Sequence, residues 1–150
     1  MLSLQEISDR FEIEDLMVRY SHAVDTCQWD LLDEIFTPDA HIDFTATGAP
    51  AGGLAEIKEF LAQTLPNFAA VQHFISNSSI TVDGDTATGR TMCHNPMVVT
   101  DRAGTQTLIQ YGLWYIDTFR RVDGRWRIAQ REQERGYAFV AESAVRADPP

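Results

Sequence analysis

Residues 71–99 read VQHFISNSSITVDGDTATGRTMCHNPMVV, and this stretch decides the fold class. Apolar and β-branched residues run through it at strand spacing, and Asp83-Gly84 in its middle has the chemistry of a tight hairpin turn. The pattern continues downstream. Strands are predicted at 71–82, 85–99, 105–122 and 125–135, with Asp101-Arg102-Ala103-Gly104 and Asp123-Gly124 as the later turns. Strands this long twist strongly and need one face covered.

Upstream of residue 71 the period is helical. Ser3-Leu4-Gln5-Glu6 has capping-box spacing and predicts a long helix to about Cys27. Its apolar residues fall on two arcs, Leu4, Ile7, Phe11 and Val18 on one and Ile13, Leu16, Tyr20, Ala23 and Val24 on the other, so the helix is expected to be wrapped on both sides. A short helix follows near Trp29–Phe36, ended by Thr37-Pro38-Asp39. His41–Thr45 reads as a short strand and 48–53 as a Gly/Pro loop. Leu54, Ile57, Leu61 and Leu65 form a third helix, stopped at Pro66. Helices first and hairpins afterwards imply an α+β fold, with three N-terminal helices on one face of a curved, mainly antiparallel sheet. No repeat or linker divides the 150 residues, so one domain, 1–150, is expected.

The composition narrows the partners. A 44% hydrophobic, 23% charged chain is ordinary globular protein, and its length buries roughly two-thirds of the surface exposed when unfolded. A net charge of −10, with Lys58 the only lysine, argues against nucleic acid and against an anionic membrane surface. Neither a signal peptide nor a membrane-spanning run is visible. Cys27 and Cys93 show no metal-type spacing. Two buried thiols in a cytoplasmic protein is the favoured reading, with a disulfide as the alternative.

Candidate chemistry comes from strand register. With Asp83-Gly84 as a two-residue loop, His73 stands opposite His94; with a four-residue loop at 101–104, His94 faces Tyr111. The helix offers a matching arc of Met17, Tyr20, Ser21, Val24 and Asp25. Asp25 near a helix C-terminus opposes the macrodipole, and such violations of local preference mark functional positions. A carboxylate bound to one imidazole nitrogen makes the other a better base. Asp25 and His73 are therefore expected to form that pair, with Tyr20 and His94 orienting or polarising a substrate oxygen. Each histidine also has a structural reading. Two histidines and an aspartate can hold a metal, but no tight ligand spacing supports one, and none is expected. His22 and His41 are expected at the surface, and Trp114, Phe119, Trp126 and Ile128 in the core. Arg131 either reaches the pocket or pairs with a surface acid.

The order of a helix carrying Tyr20 and Asp25, then Gln72-His73-Phe74, His94 and the closing strand Asp123-Gly124-Arg125-Trp126-Arg127-Ile128, resembles the nuclear transport factor 2-like superfamily. Within it the chain is most similar to the SnoaL-like and scytalone dehydratase-like branch. The resemblance implies a cone-shaped α+β barrel around a pocket and cofactor-independent elimination of water or halide from a small cyclic or aromatic-type molecule. It places the proton-abstracting dyad on Asp25 and His73, a second pocket histidine on His94, a pocket tyrosine on Tyr20 and a leaving-group arginine on Arg131. The chain departs from scytalone dehydratase in carrying Val24 where that enzyme has a tyrosine immediately before the aspartate. The resemblance also implies a homodimer or homotrimer, joined through the outer sheet face, and a C-terminal segment such as Tyr137–Val140 closing the pocket. Polyketide-type cyclisation or isomerisation, or a non-catalytic binding module like a dioxygenase small subunit, are the alternatives.

Overall fold

In the computed structural model, which describes residues 1–142, helix α1 runs over Leu4–Asp25. The predicted capping box is formed. The Ser3 Oγ accepts the Glu6 N–H at 3.1 Å, and the Ser3 N–H donates to Glu6 Oε2 at 2.7 Å. Only one of the two apolar arcs is covered. Ile13, Leu16, Met17, Tyr20, Ala23 and Val24 are buried, whereas Leu4, Phe11 and Val18 are 86%, 67% and 60% exposed. The helix lies on the protein rather than being wrapped by it.

The second helical region is a 3-10 turn, Trp29–Leu31, followed by a single α turn, α2 (Leu32–Ile35). Strand β1 (Phe36–Asp43) then begins earlier than Thr37-Pro38 suggested, because Pro38 falls in the irregular stretch between Phe36 and His41, where neither neighbouring strand pairs with it. The 48–53 loop contains a short strand, β2 (Ala51–Gly53), before α3 (Leu54–Thr64). The remaining strands are β3 (Ala70–Val71), β4 (Phe74–Asp83), β5 (Thr86–Thr100), β6 (Gln106–Val122) and β7 (Arg125–Glu142).

The sheet order is β2-β1-β7-β6-β5-β3, with β4 continuing the β3 edge against β5. All neighbours are antiparallel except β1 and β7. Bulges at Ser76/Ser78, Gly112/Leu113 and Thr118/Phe119 add twist, and the strongly curled mixed sheet forms a half-barrel around α1 and α3. The core is the sheet's inner row, which includes Ala87, Cys93, Leu113, Tyr115, Phe119, Trp126 and Ile128, packed on the buried arc of α1 and on Leu54, Ile57 and Leu61 of α3. Trp114, expected in this core, is half-buried on the outer face, where the Arg90 guanidinium lies 4.1 Å from its ring. Cys93 is buried, but Cys27 is exposed; it follows the helix end with a positive φ of 56°. His22 and His41 are exposed as expected. Tyr137–Val140 continues β7 and shows no lid over the pocket; residues 143–150 lie outside the described part. No helix among the described residues is long and apolar enough to cross a membrane.

One polar contact ties α1 to the sheet. Asp9, 3% exposed, accepts at Oδ1 from Arg121 Nη2 at 2.7 Å, Trp126 Nε1 at 3.1 Å and Gln5 Nε2 at 2.9 Å. Burial pushes its pKa up, but hydrogen bonds from Arg121, Trp126 and Gln5 outweigh this and hold it below the usual carboxylate value of 3.8. Asp9→Ala strands the indole N–H and half of the guanidinium, so urea denaturation should show a loss of about 2–3 kcal/mol at neutral pH. Because the folded pKa is depressed, this contribution is complete above the unfolded value and disappears as pH falls through the folded one. The gap between variant and wild type should therefore close only in acid, below about pH 4.

Candidate active site

The site begins at the β3–β4 edge of the sheet. Pro96 of β5 turns its carbonyl toward the β3–β4 edge, where it accepts the Gln72 N–H at 3.1 Å. In an antiparallel ladder a residue's N–H and C=O point to the same side, so a non-proline residue here would return a second bond to Gln72. Proline cannot. The ladder breaks at Gln72-His73, between β3 and β4. The His73 N–H points away from β5, toward the end of α1, and Asp25 receives it.

Asp25 is the last residue of α1. Its carboxylate accepts the His73 backbone N–H at 2.9 Å (Oδ2) and contacts His73 Nδ1 at 2.6 Å (Oδ1). One side chain thus grips both the backbone and the ring of another. With Asp25 ionised, Nδ1 carries the proton and Nε2 presents its lone pair. Nε2 has no hydrogen-bond partner among the described residues, and the ring lines a cavity of about 260 Å³.

Most of that cavity is apolar: Phe44, Phe60, Leu61, Leu65, Met97 and Ile109 supply much of its wall. Tyr20, Val24 and Tyr111, all predicted site residues, line it too, as do Thr47, Asn95 and Gln133. Thr47 Oγ1 donates to Gln133 Oε1 at 2.6 Å, pinning the 3-10 turn Thr45–Thr47 to β7.

Under the cavity lies a charged platform. Arg131 is fully buried and pairs with Asp117 through Nε–Oδ1 at 2.8 Å and Nη2–Oδ2 at 2.9 Å. Its guanidinium stacks 4.2 Å from the Tyr20 ring centroid and 4.0 Å from that of Tyr115. Met17, predicted to face the pocket, instead places Sδ 2.9 Å from Arg131 Nη2. Arg131 therefore reaches neither the cavity nor a surface acid; it braces Tyr20 from below. Burial raises the Tyr20 phenol pKa, with the Arg131 charge pulling the other way, and the hydroxyl stays protonated at neutral pH. Cys93, beside this platform, is pushed up to about 11 by burial, which leaves it a thiol. Ser21 turns back along α1 and donates to the Val18 carbonyl at 2.9 Å, away from the cavity.

The register differs from expectation, and His94 leaves the site as a result. Asp83 pairs with Thr86, so the turn is Gly84-Asp85 rather than Asp83-Gly84. The turn displaces the pairing by two residues, and the bulge between Ser76 and Ser78, with Asn77 at φ 45°, takes one of them back, leaving a net slip of one. His94 pairs with Phe74 instead of His73. Between β5 and β6 the loop is 101–105, one residue longer than expected, so His94 pairs with Gly112 while Asn95 faces Tyr111. A one-residue slip exchanges the two faces of a strand. His94 therefore lies outside, edge-on to Tyr137 with ring centroids 6.1 Å apart, and Asn95 occupies the inner position. Asn95 is 8% exposed and its Oδ1 has no partner. An asparagine inside a strand of buried Thr91, Cys93 and Met97 runs against strand preference, and that signal could have identified it.

Three comparisons place this geometry among known proteins. A family model described as SnoaL-like domain matches residues 5–132. An uncharacterized protein of Mycobacterium tuberculosis (strain ATCC 25618 / H37Rv) is 49% identical over 132 residues, covering 87% of this chain and 88% of that protein. Among solved structures, a provisionally assigned scytalone dehydratase from Novosphingobium aromaticivorans superposes with a TM-score of 0.76 at 25% identity, covering 96% of this chain and 93% of the other. The hexachlorocyclohexane dehydrochlorinase LinA-type3 from Novosphingobium barchaimii LL02 gives 0.78 at 20% identity over 98% and 99%, a likeness of fold alone.

His94→Ala removes no group from the cavity. Its turnover of whatever the site converts should stay within about threefold of wild type, a barrier change below 1 kcal/mol. A loss of a hundredfold or more would place His94 in the chemistry after all.

Proposed function

The chain belongs to the SnoaL-like domain family, and from that premise we propose that it is a cofactor-independent lyase acting on a small cyclic or aromatic-type molecule. The observation that supports this best is the Asp25–His73 contact at 2.6 Å, with the far ring nitrogen unpaired beside a mainly apolar cavity. His73 Nε2 removes a proton from the carbon next to a carbonyl. The Asp25 carboxylate stabilises the imidazolium that forms and prevents the ring from turning. The neutral Tyr20 hydroxyl donates to the carbonyl oxygen, where negative charge accumulates. The C–H electron pair becomes the new double bond, the C–O bond breaks, and the proton held by His73 leaves with the hydroxide as water. Halide loss follows the same course, with the proton released to solvent. Arg131 acts through Tyr20, as a positioning residue.

We also propose that copies of the chain associate through the outer sheet face as a dimer or trimer. Phe74, His94, Gly112 and Tyr137 pair in one row across four strands. Gly112 leaves room for Tyr137 to lie across the sheet, since a Cβ there would come within 2.0 Å of the ring. Phe74, Tyr137 and Phe139 remain 61%, 46% and 54% exposed, a patch a second copy would cover.

His73→Ala should fold normally and lose about 10²- to 10⁴-fold in kcat on a turned-over β-hydroxy ketone, whereas equal activity in wild type and variant removes the mechanism. Exchange of deuterium into the substrate without loss of water would instead favour isomerisation or cyclisation. Phe139→Glu should shift the protein toward monomer in light scattering, and an unchanged mass would exclude this face as the contact.

A further inference from the structure

The cavity wall holds a polar group that the chain itself leaves unsatisfied. Asn95 is more than nine-tenths buried, lines the cavity and has no partner for Oδ1. It stands next to the Phe74–His94 pair on the strand beside His73, and across β6 it faces Tyr111, which lines the same cavity. A buried amide oxygen without a hydrogen bond costs about 1–3 kcal/mol. Structural asparagines in strands avoid that cost by pairing with the backbone, and this oxygen does not.

The occupant can be argued from its chemistry. Among the described residues lining the cavity there is no lysine, arginine, aspartate or glutamate, and the nearby Arg131 charge is matched by Asp117. A carboxylate, phosphate or thioester carrier would find no counter-charge. An uncharged molecule needs none. Turned by half a rotation from the placement in which Oδ1 is buried, the amide presents its oxygen to the cavity; otherwise it presents its NH₂ group. A hydroxyl both donates and accepts and satisfies either orientation. A carbonyl satisfies only the second, and a carbon-bound halogen leaves the oxygen unpaired in both.

We propose that Asn95 is a substrate-binding, specificity-determining residue that holds a hydroxyl group of an uncharged substrate. This rests on the lyase reading of the same cavity and narrows it: the site selects hydroxylated molecules over halogenated ones of the same shape. A site built around a hydrogen bond rejects an analogue lacking it far more strongly than an apolar wall rejects a polar one.

Binding of two unreactive probes tests this separately from the base. Cyclohexanol and chlorocyclohexane lack the carbonyl that acidifies a proton, so neither is turned over. Their dissociation constants would be measured by NMR titration for wild type, Asn95→Leu and Asn95→Ala. The preference for the alcohol over the chloride should fall about tenfold or more in both variants. In wild type, cyclohexanol but not chlorocyclohexane should shift the Asn95 side-chain amide resonances, a readout that needs no variant. An unchanged preference with unmoved amide resonances overturns the proposal, as does a wild type that fails to bind the alcohol. Should His73→Ala retain full turnover while the alcohol preference is found, the base assignment falls and the Asn95 assignment stands. The reverse pattern removes Asn95 alone.

Discussion

The grip of the Asp25 carboxylate on both the backbone N–H and the ring of His73 is the interaction on which the site depends. Gln72 turns its N–H to Pro96 of β5, so by the alternation of a strand the next N–H, that of His73, faces away from β5 toward the end of α1. A buried N–H left unpaired there would be costly. Asp25 removes the cost and in the same contact binds Nδ1 of the ring. The carboxylate that repairs the backbone also orients the imidazole. Its position at a helix C-terminus, unfavourable by itself, is offset by two N–H donors from one residue.

A second layer holds the pair in place. Tyr20 stands edge-on to His73, with ring centroids 6.2 Å apart, and edge-on to Phe36 and Tyr115 at 6.0 and 5.6 Å. Beneath it the buried Arg131–Asp117 pair places a flat cation against the rings of Tyr20 and Tyr115. Burial raises the Asp117 pKa while Arg131 opposes the rise. The pair adds no net charge to the cavity; it stiffens the floor on which Tyr20 rests. Tyr20, Asp25 and His73 thus sit on two elements, α1 and the β3–β4 break, each fixed by contacts outside the cavity.

The class of fold was legible because it depends on features that do not require exact registration. The Ser3/Glu6 capping box, the Pro66 stop and the turn residues at 83–85, 101–104 and 123–124 mark element ends locally. Asp25 was legible for the same reason, as a local misfit. Face assignment was not, since it depends on a parity: one extra loop residue at 105 and one bulge at Asn77 exchange His94 for Asn95. The exposed arc of α1 failed differently. Periodicity shows that Leu4, Phe11 and Val18 share a face, but what covers a face is decided by elements distant in sequence. Arg131 could be placed on a strand but not at a depth, because its partner Asp117 lies across β6 and β7. The bulge in β4 and the five-residue loop were visible only as polar residues that several registers accommodate.

The central claim is that Asp25 holds His73 in the tautomer whose Nε2 is free to accept a proton from substrate. Imidazole nitrogen resonances of ¹⁵N-labelled protein, recorded above the pH at which the ring loses its charge, report this directly. The account predicts a pyrrole-type, protonated Nδ1 and a pyridine-type Nε2 for His73, with that distinction lost in Asp25→Ala. A wild-type spectrum with the proton on Nε2, or with the two tautomers mixed as in a free histidine, would contradict it.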